Sequence, residues 1–99
     1  MLKISPMDDA SECRLVLEGK LIAPWADELR AACQRARANL HGRELVVDMK
    51  HVTIISKEGE DLLLQLMKQG VKFRARGVFT RLVFRQLSRR MEEHFQEAK

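Results

Sequence analysis

The chain has 99 residues, 45% hydrophobic and 32% charged, with 18 Lys and Arg against 14 Asp and Glu for a formal net charge of +4. This length predicts one domain, residues 1–99, able to bury a core without disulfide or metal support. No apolar run approaches the ~20 residues a membrane helix needs, and residues 1–10 do not read as a signal peptide, so the expected setting is the cytoplasm, away from membranes.

The charge is uneven. Residues 1–70 carry 10 Lys and Arg against 11 Asp and Glu, a net −1, while residues 71–99 carry 8 against 3, a net +5. An anionic partner would therefore meet the C-terminal third. The two cysteines, Cys13 and Cys33, fall on the apolar faces of a predicted strand and a predicted helix, which suits small core residues better than a redox or metal pair.

In chain order, Met1 to Ile4 predicts a short edge strand, and Ser5-Pro6 starts a polar turn through Met7, Asp8 and Asp9. Cys13 to Glu18 alternates, with Cys13, Leu15 and Leu17 on one face and Arg14, Val16 and Glu18 on the other, as a half-buried strand does. Gly19 allows a bend or bulge before Leu21-Ile22. Pro24 suits a helix start, where its missing N–H costs nothing, and Asp27 and Glu28 oppose the positive end of the dipole. Trp25, Leu29, Ala32, Cys33, Ala36 and Leu40 make an apolar face of mostly small residues. Arg30, Gln34, Arg35 and Arg37 face solvent, and His41-Gly42 ends the helix.

The central stretch, Leu45 to Gly70, carries the most information. Leu45-Val46-Val47-Asp48 predicts a buried strand ending at an acid. A turn is expected next, then the β-branched run Val52-Thr53-Ile54-Ile55 on an extended path. Ser56 predicts an N-cap, Glu58, Glu60 and Asp61 add negative charge at the helix start, and Leu62, Leu63, Leu66 and Met67 form the apolar face. Gly70 closes the helix. Val71 to Arg76 alternates again, and three cations on one side (Lys72, Arg74, Arg76) imply an exposed face or a sheet edge. After Gly77, Val78 to Phe95 predicts a helix with Phe79, Leu82, Val83, Leu87 and Met91 buried, with Phe84 off that stripe and Phe95 near the loose end of the chain. The order ββαβαβα is an α/β fold with a mixed sheet that begins with a hairpin.

Leu45 to Gly70 resembles the centre of a STAS domain, the family of the bacterial anti-sigma-factor antagonists. Asp48 matches the acid that ends the family's strand, Val52 to Ile55 match its apolar loop, and Gly59 matches the glycine of its Asp-Ser-Ser-Gly-type motif. Ser56, Lys57 and Glu58 depart from that motif, standing for Asp, the phosphorylatable Ser or Thr, and the second Ser. The likeness runs from about Cys13 to Leu87. It implies a STAS-like sandwich, to which the family usually adds one more strand and a last helix. It also implies a protein partner, such as a kinase-like anti-sigma factor, docking on the surface formed by Thr53, Ile55, Ser56, Lys57, Glu58 and Glu60, with Asp48 and Gly59 structuring the loop.

Lys57 cannot take the phosphate a serine takes. Ser56 has two readings, cap or substitute phosphosite, and Glu58 reads as a dipole-stabilising acid or as a fixed negative charge. Asp48 invites a catalytic reading, although a carboxylate there can also hold backbone N–H groups. His41, His51 and His94 have no metal-ligand spacing, and no phosphate loop or nucleophile elbow occurs, so neither an enzyme nor a cofactor or metal is expected. A second reading is polyanion or nucleic-acid binding through Arg81, Arg85 and Arg89, which share one helix face, with Arg74, Arg76 and Arg90 adding charge nearby. It is weakened by the scarcity of aromatics for stacking. Apolar surface at Phe84 and Phe95, or an uncovered sheet edge, would favour a homodimer.

Overall fold

A computed structural model describes residues 1–75 and 78–97, with the side chains of 78–80 and 91–97 left aside. Among the described residues the elements are β1 (Leu2–Asp8), β2 (Glu12–Leu21), α1 (Trp25–Ala38), β3 (Glu44–Ile55), α2 (Lys57–Lys68), β4 (Lys72–Arg74) and α3 (Val78–Glu97). The order expected from the sequence is the order found. The strands lie in one mixed sheet, β1-β2-β3-β4, with β1 antiparallel to β2 and β2, β3 and β4 parallel.

All three helices pack on one face of this sheet. Leu15 and Leu17 of β2, Leu45, Val47 and Met49 of β3, Leu29 and Cys33 of α1, Leu62, Leu63 and Leu66 of α2, and Val83 and Leu87 of α3 belong to one buried cluster. Each fully buried leucine contributes about 1.5–3 kcal/mol by leaving water. The alternation read in residues 13–18 therefore faces as expected. Phe73 joins from β4, its ring centroid 5.0 Å from that of Phe84. On the other sheet face, Glu12 accepts from Arg14 at 3.3 Å and from Arg74 at 2.8 Å. Among the described residues no helix is long and apolar enough to cross a membrane.

Several local expectations are corrected. Strand β1 does not stop at Ile4 but runs through Ser5-Pro6 to Asp8, paired with β2 from Leu2↔Gly19 to Asp8↔Cys13. The Met1 carbonyl accepts the Lys20 N–H, and peptide groups alternate in direction along a strand. Pro6 therefore has its missing donor on the outer side, where the ladder loses nothing. The turn lies at Asp9, whose Oδ1 accepts the backbone N–H groups of Ser11 and Glu12 at 2.8 and 2.9 Å.

No turn follows Asp48, and β3 continues to Ile55. Val16 pairs with Asp48 and Glu18 with His51, then Gly19 with Val52 and Lys20 with Ile54. Twice β3 spends one residue more than β2, so two bulges absorb what reads in sequence as a turn. Helix α1 ends at Ala38, before His41-Gly42. Those two residues, both at positive φ, make a tight turn closed by the Arg43 N–H on the Leu40 carbonyl. In α3, Leu82 is 49% exposed and Phe84 packs against the core instead. The expectations for Arg76 and Gly77 and for the side chains of Phe79, Met91, His94 and Phe95 lie outside the described residues.

Candidate functional site

The passage from β3 to α2 uses a single residue, Ser56, between Ile55 and Lys57. Ser56 is extended, at φ −79° and ψ 174°, and its Oγ accepts the Gly59 N–H at 3.2 Å. Its carbonyl accepts the Glu60 N–H, and its own N–H donates to the Leu21 carbonyl at 3.0 Å. The cap is thus tied to the end of β2 as well as to its helix. Gly59 is buried against the same carbonyl, and a β-carbon there would overlap it while pressing on Leu21 Cγ and Ile55 Cγ2. Only glycine admits this approach.

At the other end of α2, Gly70 is in the left-handed region at φ 86°. Its N–H reaches the Met67 carbonyl, and the Val71 N–H reaches that of Leu66, the paired bonds of a glycine-terminated helix. The Arg37 guanidinium donates to the Gln69 carbonyl at 2.8 Å, so a cation also satisfies the negative end of the dipole. Helix α2 is therefore capped at both termini.

The expected docking residues divide by exposure. Lys57 and Glu58 point to solvent, Thr53 is exposed with its Oγ1 donating to the Gly19 carbonyl at 3.2 Å, and Ile55, Ser56 and Glu60 are half-buried. Ile54, absent from the expected set, is 45% exposed. The run of β-branched residues hid which isoleucine faces out, because the bulge before Ile54 resets the alternation. Between the starts of α1 and α2 lies a cleft of about 280 Å³ that includes Glu58 and Asp61. Acids line it, and two are paired: Asp27 with Arg30 of the same helix, and Asp61 with Arg90 of α3.

Asp48 does not end its strand beside this surface, as expected, but sits mid-strand, 3% exposed. Its Oδ1 accepts the Lys50 N–H at 3.0 Å, satisfying a donor that the first bulge turns away from the regular ladder. That bond gives the carboxylate a structural task within β3. Arg81, Arg85 and Arg89 are all exposed on α3. Among the described residues no group of three or more His, Cys, Asp or Glu side chains is placed to hold a metal ion. Both cysteines are unpaired thiols and buried. Burial pushes the Cys33 thiol up to about 11, and burial, followed by the neighbouring Asp8 carboxylate, raises Cys13.

No protein-family model matches the chain, and no curated protein matches it.

Proposed function

We propose that the protein is a STAS-like, non-enzymatic interaction module that docks a protein partner on the surface from Thr53 to Glu60. The partner class that the resemblance implies is a kinase-like anti-sigma factor of bacterial signalling. The observation that carries this reading is the junction at Ser56. A strand end and a helix start meet through one capping residue, which leaves Ile54, Lys57 and Glu58 exposed on either side of it. An exposed apolar side chain beside two charges of opposite sign suits specific docking more than chemistry. The mixed sheet, with an antiparallel first strand and parallel successors, is compatible with the STAS arrangement.

In this reading the phosphate switch of the family does not operate in its usual place. Lys57 occupies the phosphosite, and Ser56, the nearest hydroxyl, already accepts the Gly59 N–H as a cap. A phosphate there would add about −1.5 to −2 charge beside Glu58 and Glu60. The test is capture of partners by wild type and by the Lys57→Asp, Glu58→Arg double variant, which inverts the local charge pattern at the same net charge. A protein held by wild type and lost from the folded variant supports the surface. Equal capture by both overturns it.

The exposed row Arg81, Arg85 and Arg89 supports the second reading, in which α3 binds a polyanion. Salt-dependent retention of generic duplex DNA, lost on replacing the three arginines, would favour it.

A further inference from the structure

Strand β1 is an edge of the sheet, bonded to β2 on one side, with Leu2 in the core and its outer backbone side open among the described residues. With the Met1 carbonyl turned to β2, alternation turns the peptide groups of Leu2, Ile4, Pro6 and Asp8 outward, where they have no strand partner among the described residues. The side chains of Leu2, Ile4 and Pro6 lie on the helix side, in a groove of about 670 Å³. Its opposite wall is α1, through Glu28, Ala31, Ala32 and Arg35. On the other sheet face Met1 and Met7 are 83% and 58% exposed.

We propose that β1 is the interface of a homodimer, in which two copies pair their β1 strands antiparallel about a two-fold axis at Ile4. The two sheets then become one, and each copy loses an open edge. In this register Ile4 exchanges both backbone bonds with its counterpart, and the Leu2 N–H donates to the carbonyl of the partner's Pro6. Met1 lies opposite the partner's Met7, and Lys3 opposite the partner's Ser5. An axis at Lys3 would set like charges face to face, and one at Ser5 would set Leu2 against the partner's Asp8. Ile4 is the centre that avoids both.

Charge complementarity on α1 selects the same partner independently. Glu28, Ala31, Ala32 and Arg35 form a pattern that, read backwards, exchanges its charges and keeps its small centre. Helix α1 links parallel strands, so it runs opposite to β2 and alongside β1. The Arg43 guanidinium, bonded to the Asn39 and Leu40 carbonyls, lies 3.5 Å from Asp8 and ties the two C-terminal ends together. Back from that tie, the step from Asp8 to Ile4 at about 3.3 Å per strand residue matches about nine helical residues at about 1.5 Å. Counted back from Asn39 and Leu40, that places Ile4 level with Arg30 and Ala31, within one residue of the Ala31–Ala32 centre. One axis therefore serves strand and helix together, setting Glu28 against Arg35 of the partner subunit and Arg35 against the partner's Glu28. The proposal does not depend on how the Thr53–Glu60 surface is read.

The test is sedimentation equilibrium of the full chain over a dilution series. Wild type is expected at twice the chain mass, dissociating on dilution. Glu28→Arg places like charges across the axis twice and weakens the dimer by about tenfold. Adding Arg35→Glu to that variant restores it to within about threefold of wild type. Both side chains are exposed, and circular dichroism confirms the fold of each variant. A wild type that stays monomeric throughout, a dimer indifferent to Glu28→Arg, or a loss that Arg35→Glu does not repair each overturns the proposal.

Discussion

The Cα of Gly59, in the first turn of α2, lies against the carbonyl oxygen of Leu21 at the end of β2. The same oxygen accepts the Ser56 N–H at 3.0 Å, so one carbonyl anchors both the cap and the first turn.

Two effects oppose each other for Gly59→Ala. Helix propensity alone would stabilise the alanine by about 0.5–1 kcal/mol. The new methyl meets backbone, which cannot swing aside, and such overpacking costs about 1–3 kcal/mol. The expected outcome is a net loss of about 1 kcal/mol or more in urea-induced unfolding, and a stabilised variant would show that the approach is looser than described.

Ser56→Ala removes the acceptor for the Gly59 N–H and should cost about 1 kcal/mol, as N-cap losses do. Ser56→Asp keeps an acceptor at the positive end of the dipole and should remain within about 0.5 kcal/mol of wild type. Thermal unfolding of the three proteins side by side measures the ranking.

Asp48→Ala leaves the Lys50 N–H in β3 without its partner, at a cost of about 1–3 kcal/mol. Asp48→Asn keeps an acceptor of the same shape and should lose less. Amide exchange at Lys50, followed by NMR, should quicken in the alanine variant ahead of its neighbours in the strand.

Stability should fall on the alkaline side. Burial pushes the Cys33 thiol up to about 11 from its ordinary 9.0, so the folded state disfavours the thiolate. The contribution is complete below about pH 9 and is lost as pH rises toward 11. Cys33→Ala should flatten the fall between pH 9 and 11, with Cys13, also raised, leaving a smaller remainder. Denaturant midpoints at a series of pH values give the slope.

What the sequence revealed was what local chemistry determines. Ser56 was legible as a cap because capping needs only the next three residues, and the apolar faces of α1 and α2 follow from helical spacing. Strand β3 was not legible as one element. Lys50 and His51 look like a turn, yet they occupy the first bulge, where β3 takes an extra residue against β2. Pro6 looked like a strand breaker because its inward or outward direction depends on pairing with β2. Phe84 fell off the α3 stripe because its partner, Phe73, comes from another element. At the candidate surface, the helix start at Lys57 and Glu58 was legible. The exposure of Ile54 and the contact of Gly59 with Leu21 were not, because both depend on how β3 and α2 meet β2.

The one-residue junction at Ser56 also bears on how the surface would recognise anything. A flexible loop surrenders backbone freedom when it docks, about 1–2 kcal/mol for each residue fixed. Here the residues on either side already belong to a strand and a helix, and Ser56 itself is bonded through its N–H, carbonyl and hydroxyl. Little freedom is left to lose, so contact energy at Ile54, Lys57 and Glu58 would pass into affinity with little deduction. Binding would then resemble two preformed shapes meeting, and substitutions on the surface would act on how long a complex lasts more than on how fast it forms.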